Sequence, residues 1–223
     1  MILAIETSVP EASVCLRRGS QVVFEENFLN GRNHNSKIFD VLEKITEALR
    51  GETLSLVIVG KGPGSYSGTR VGIAAAQGIA IVHQCSVVGL GSLAATSVAR
   101  LEKASMAVGD ARRGLYYISE IKDSEAVEAE LMETAEFQQV LLKATDEGKV
   151  LFTLDDPSLL NLDLEMSSQI EQVKPCAEHL IDIWLGLGSE RRDALKKQPL
   201  SPAYLRAPFT SKAKSGHPLL RKL

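Results

Sequence analysis

The stretch Leu54-Ser55-Leu56-Val57-Ile58-Val59-Gly60-Lys61-Gly62-Pro63-Gly64-Ser65-Tyr66-Ser67-Gly68-Thr69-Arg70-Val71-Gly72 decides how this chain is read. Residues 54–59 form an apolar run of the kind expected of a strand covered on both faces. Residues 60–68 are a sharp loop: Pro63 fixes its own φ, and the flanking glycines accept backbone angles closed to other residues. A helix follows over 69–83, with Ser67 the expected N-cap. Backbone N–H groups at 65–68 would point out ahead of that helix, a place that attracts anions. Gly62, Gly64, Ser65, Gly68 and Arg70 are therefore candidate phosphate contacts. The loop is not a Walker A loop, because the closing Lys-Ser/Thr pair is missing and Lys61 precedes the turn. Plain turn geometry is the competing reading of the same glycines.

The helix after the loop is unusual in composition. Gly68, Gly72, Ala76 and Ala80 recur every four residues, with Ala74, Ala75 and Gly78 beside them. Each glycine inside a helix costs roughly 1 kcal/mol relative to alanine, so something should pack against the bare backbone. That something is either the protein's own sheet or a helix of a partner; small-residue stripes serve both. A second helix is expected from Ser36. Its Ile38, Val41, Leu42, Ile45 and Leu49 share one face, and Phe39 and Ala48 widen that face beyond a core stripe. Two adjacent helices would present a patch that association could bury. The candidate partner interface is Ile38, Phe39, Leu42, Ile45, Gly68, Gly72, Ala75, Ala76 and Ile79.

Upstream of this pair, residues 2–5, 12–16 and 21–28 read as a meander of three strands, with a hairpin turn at 17–20 where Gly19 is free to take a positive φ. Downstream, 86–89 reads as a strand and 92–101 as a helix. Three strands, helix, strand, helix, strand, helix is the order of one half of an α/β fold of the actin/hexokinase/Hsp70 type, not of a Rossmann series. Residues 104–109 and 115–121 start a second hairpin around a polar turn at 110–114. Residues 123–130 are acidic, 135–144 read as a helix and 149–154 as a strand. Pro175 suits the first turn of a helix running to 187. No second glycine loop with its long helix is visible, so the second subdomain is expected to be related to the first but reduced. The expected division is 1–103 and 104–204, with a stretch of about 205–223 free to pack back on the first part.

The chain has 223 residues and a formal net charge of -3, with 44% hydrophobic and 24% charged residues. These values suit a folded globular chain. No apolar run reaches the ~18 residues of a membrane helix, and residues 1–5 lack the features of a signal peptide; a cytoplasmic protein without membrane contact is expected. Cys15, Cys85 and Cys176 are too dispersed for a disulfide framework or a metal knuckle. Basic residues concentrate only near the end, at Arg206, Lys212, Lys214, Arg221 and Lys222, so a partner would have to supply most of any contact with RNA.

Residues 1–8, the motif from Gly60 to Gly72, Ala76-Gln77-Gly78, Asp110-Ala111-Arg112 and Ala203-Tyr204-Leu205-Arg206 resemble the TsaB (YeaZ) family, non-catalytic paralogues of TsaD. The likeness covers the first hundred residues closely and in order; residues 125–200 are diverged. TsaD carries a His-x-x-x-His metal pair on the helix after its fifth strand. Here that helix has no histidine, and His34, His83, His179 and His217 never stand four apart; neither a metal site nor a catalytic residue is expected. The turn at 6–11 has no glycine and two carboxylates, Glu6 and Glu11, which repel phosphate. The lone chain is expected to bind ATP weakly or not at all. The resemblance implies a scaffold that pairs with TsaD through helices 36–49 and 68–83 and recruits TsaE for threonylcarbamoyl transfer to adenosine beside the anticodon. It implies tRNA contact only through that complex, ATP or ADP only at its interface, and a homodimer when the chain is isolated. The alternatives are a small phosphotransferase with Glu6 as its candidate base, and a peptidase. For the latter, Ser65, Ser67 and Ser92 stand in no GxSxG elbow and have no placed His–Asp partner.

Overall fold

A computed structural model describes residues 1–29, 37–102 and 104–206. The first half forms a five-stranded sheet from β1 (Ile2–Glu6), β2 (Glu11–Arg18), β3 (Gln21–Leu29), β4 (Leu56–Gly60) and β5 (Ser86–Leu90), in the order β3-β2-β1-β4-β5. The first three strands are antiparallel, and β4 and β5 run parallel to β1. Helix α1 (Lys37–Leu49) connects β3 to β4, and α2 (Tyr66–His83) connects β4 to β5. Both faces of the central strands are covered, which is why they read as unbroken apolar runs. Leu3, Ile5, Val57 and Val59 face α1 and α2, while Ala4, Leu56 and Ile58 face the other way.

A 3-10 turn (Ser92–Ala95) and α3 (Ser97–Leu101) lead into the second sheet. The expected single helix over 92–101 is thus broken. Thr96 adopts an extended conformation, caps α3 by accepting the Ala99 N–H, and forms a β-bridge with Pro175. The second sheet holds β6 (Ser105–Asp110), β7 (Leu115–Lys122), β8 (Glu125–Ala126), β9 (Glu130–Glu133), β10 (Val150–Thr153) and β11 (Ile170–Gln172), with α4 (Thr134–Asp146) between β9 and β10. β7 is antiparallel to β6, β10 and β11 are parallel to it, and β8 and β9 both pair with β7. The order β11-β10-β6-β7 repeats that of the first sheet, and the fold is the actin/hexokinase/Hsp70 type with two related sheets. The second is reduced: where α2 would stand, a 3-10 turn (Pro157–Leu160) and the five-residue α5 (Leu164–Ser168) take its place.

Two helices close the described chain, α6 (Ala177–Gly186) and α7 (Ser189–Lys197). Pro175 lies just outside α6, and Cys176 occupies its cap. Although α6 follows the second sheet, its Leu180, Ile181, Ile183 and Trp184 cover the back of the first, against Ala4, Cys15, Leu56 and Ile58. Conversely Leu93, Val98 and Ala99, which follow the first sheet, pack on the second with Ala107, Tyr117 and Phe152. The crossing point is charged: Asp182 on α6 binds Arg17 of β2 at 2.5 Å and Arg100 of α3 at 3.0 Å. Ser36, His34, His217 and the basic residues Lys212, Lys214, Arg221 and Lys222 lie outside the described residues.

Candidate functional site: the root and outer face of helix α2

Ser65, not Ser67, caps α2: its side chain accepts the Gly68 N–H at 3.2 Å, and the helix begins at Tyr66. The glycines around it are explained by the turn after β1. Thr7 Oγ1 donates to the Gly68 carbonyl at 2.8 Å, and the Ser65 N–H donates to the Ser8 carbonyl at 2.6 Å. A Cβ at Gly68 would lie 2.2 Å from the Thr7 carbonyl oxygen, and one at Gly72 2.2 Å from Thr7 Oγ1. At Gly64 a Cβ would lie 2.2 Å from the Ser8 carbonyl oxygen. The glycine cradle is therefore filled by the protein's own backbone.

The candidate phosphate contacts are engaged in the same way. Gly62, at φ +87°, exchanges two hydrogen bonds with Ser92: its N–H donates to Ser92 Oγ at 3.0 Å and its carbonyl accepts the Ser92 N–H at 2.9 Å. The Arg70 guanidinium lies 3.6 Å from the centre of the Tyr66 ring and 5.4 Å from that of Tyr204, a favourable cation–π geometry. Tyr204 belongs to a strap in which the Ala203 N–H donates to the Lys61 carbonyl at 2.7 Å, and Arg206 Nη1 donates to the Arg112 carbonyl at 3.0 Å. Asp110 accepts the Arg112 N–H at 2.7 Å and pairs with its guanidinium at 3.0 Å. Three motifs far apart in sequence, at 60–72, 110–112 and 203–206, thus meet at one mouth between the sheets.

The outer side of α2 is different. With α1 it walls a groove of about 540 Å³, lined by Phe39, Leu42, Val71, Ala74, Ala75, Gly78, Ile79 and Val82, with Ile38 and Ile45 behind them. Phe39 is 66% exposed and Val82 78%, high values for large apolar side chains. Nothing lies within 4 Å of a Cβ built on Gly78. The expected interface is corrected here. Gly68, Gly72 and Ala76 turn inward against Thr7 and Val59 and are buried, as are Ile38 and Ile45 beneath the groove. Phe39, Leu42, Ala75 and Ile79 do line the groove. Val71 and Val82, together with Ala74 and Gly78 of the small-residue set, also line the groove and lie outside the expected interface; their spacing of three and four along α2 is the signal that groups them.

The described ionisable groups near the cradle are held in structural contacts or buried. Glu6 is fully buried, and burial raises its pKa above the ordinary carboxylate range. Glu11 is occupied by an ion pair with Lys174. His179 Nδ1 meets the Ala95 carbonyl at 2.9 Å rather than a serine. Burial pushes the Cys15 thiol up to about 12 and raises Cys176 as well, so neither is a ready nucleophile. Among the described residues, no group of three His, Cys, Asp or Glu side chains could hold a metal, and no helix is long and apolar enough to cross a membrane.

The family model described as "TsaD: tRNA N6-adenosine threonylcarbamoyltransferase" matches residues 28–162, a stretch that contains α1, β4 and α2. Similar relatives are the TsaB proteins of Haemophilus influenzae, 32% identical over 127 residues, and of Escherichia coli K12, 31% identical over 132 residues. The chain belongs to the TsaB/YeaZ family. The match to the H. influenzae protein covers 54% of this chain and 53% of that one; for E. coli both shares are 56%. The chain thus spans about half the length of the curated relatives it matches. Two solved structures from Pseudomonas aeruginosa share the fold. One is described as an uncharacterized protein with similarity to peptidase YEAZ, at TM-score 0.67 and 20% identity, and the other as YeaZ, at TM-score 0.64 and 18%. Each comparison covers 92% of this chain and 99% of the other.

Proposed function

We propose that this chain is a non-catalytic scaffold subunit in the biosynthesis of threonylcarbamoyladenosine in tRNA, and that its α1–α2 groove receives TsaD. The H. influenzae and E. coli relatives are named as biosynthesis proteins for that nucleoside. The observation that carries the reading is the open apolar groove, with Phe39 and Val82 held out in water. Burying a large apolar side chain contributes roughly 1.5–3 kcal/mol, so covering several of them favours association. The choice of occupant rests on homology. One family model, described for TsaD, spans both groove helices of this chain, so TsaD carries counterparts of them. Two related helix pairs can then pack face to face about a two-fold axis or pseudo-axis. A second copy of this chain would occupy the groove when TsaD is absent.

The filled cradle argues against chemistry by the lone chain. Thr7 and Ser8 sit where the glycine loop would otherwise admit a phosphate. On this reading ATP or ADP is held only at the junction with TsaD and TsaE, tRNA is reached through the assembly, and the protein works in the cytoplasm. A small phosphotransferase would need that cradle open and Glu6 accessible, and nothing in the geometry favours it.

The test uses the full chain with Phe39→Glu or Ala74→Arg, both exposed groove residues. Loss of co-purification with TsaD, at an unchanged melting temperature, is the expected result. Intact complexes in both variants would place the contact elsewhere.

A further inference from the structure

Glu6 closes β1 and faces the seam between the two sheets. It is 0% exposed, and its Oε1 accepts the Ser8 N–H at 2.6 Å. Among the described residues, Oε2 has no hydrogen-bond partner, and neither does the buried hydroxyl of Ser8. The carboxyl lies flat on the Gly60 backbone: a Cβ there would fall 1.8 Å from Oε2. The described elements around it present uncharged residues at this point. β2 offers Ser13 as the paired residue, β4 ends in Gly60, the turn supplies Thr7 and Ser8, and the 3-10 turn supplies Ser92. Lys61, next to Gly60 in sequence, extends over Gly89 instead, and Glu11 is held by Lys174. A carboxylate enclosed like this would have no counter-ion among the described residues.

We propose that Glu6 is a positioning residue that works as a neutral carboxylic acid, holding the Thr7–Ser8 turn in the shape that seats the first turn of α2, and that ionising it unlocks that seat. The connection is continuous. Glu6 fixes the Ser8 N–H, the Ser8 carbonyl fixes the Ser65 N–H, Ser65 caps Gly68, and Thr7 clamps the Gly68 carbonyl. The proposal is independent of what occupies the groove, because it concerns how one wall of the groove is held.

The sign of the pH effect follows from burial. Desolvation raises the folded-state pKa above the unfolded value, and the nearby polar groups of Ser8, Ser92 and Thr7 only partly oppose it. Stability from this group is full below the unfolded pKa and is lost as pH rises through the folded one.

The experiment follows the Glu6 carboxyl carbon by NMR in the ¹³C-glutamate-labelled full chain. In parallel, amide exchange is measured at Ser8, Ser65 and Gly68, in the wild type and in Glu6→Gln. The Glu6 signal is expected to keep its neutral-acid chemical shift at pH values where the exposed glutamates have already ionised. As pH rises further, the three wild-type amides should lose protection by about tenfold beyond the intrinsic rise, and those of Glu6→Gln should not. A Glu6 signal that titrates with the exposed glutamates overturns the proposal, and so does equal pH dependence in the two proteins. Should the Gln variant fail to fold, the wild-type carboxyl titration, assigned through its own backbone, decides alone.

Discussion

Helix α2 has two faces built from the same small residues, and they serve opposite ends. On the inner face, Gly68 and Gly72 are bare because Thr7 occupies the space a side chain would need, and Ala76 and Ala80 continue that contact along the sheet. On the outer face, Ala74 is exposed and no described residue lies within 4 Å of a Cβ built on Gly78, between Phe39 and Val82. A small residue is thus ambiguous in isolation. It marks a close approach, but whether the approaching chain is already present depends on what lies within about 4 Å.

The comparison breaks most sharply at Ala76, which is fully buried. Ala76→Arg should unfold the chain, since an unpaired buried charge costs about 3–5 kcal/mol out of a typical ~5–15 kcal/mol; loss of the cooperative transition in urea checks it. Gly72→Ala should come next, at about 1–3 kcal/mol for overpacking against Thr7. Thr7→Ala removes the obstructing oxygen, so Gly72→Ala should cost little in that background; a double-mutant cycle measures the coupling. Gly78→Ala should have the opposite sign, raising stability by about 0.5–1 kcal/mol through helix propensity alone. Equal effects at Gly72 and Gly78 in chemical denaturation would erase the distinction between the faces. The smallest change in stability belongs to Ala74→Arg, within about 0.5 kcal/mol of the wild type; if the groove seats a second copy as proposed, sedimentation should also show the variant monomeric where the wild type pairs.

Much of the fold was legible in the sequence, because alternating and continuous apolar runs report directly on the number of covered faces. Residues 2–5 and 54–59 named the central strands, and the missing second glycine loop announced that the second half lacks a counterpart of the long helix α2. The break at Thr96 was not legible, because the bridge to Pro175 that accompanies it is a contact 79 positions distant in the chain. Helix α7 and the short β8, β9 and β11 carry too few apolar residues for a periodic signal. At the candidate site, the wide apolar face of α1 was visible from Phe39. The inward turn of Gly72 was not, since that depends on Thr7, a residue whose role appears only when the turn after β1 is seen against α2. Conversely, the family motifs at 110–112 and 203–206 were plain as words, but their meeting at Tyr66 and Arg70 needed three dimensions.

The exchange of α6 and α3 between the sheets has a consequence for how the molecule comes apart. Neither half owns a complete coat: cut after residue 101, the front portion would lose Leu180, Ile181 and Trp184 from its back, and the rear portion would lose Leu93 and Val98. The two sheets are therefore partners in a mutual loan, and heating should dissolve them together in one step rather than in sequence.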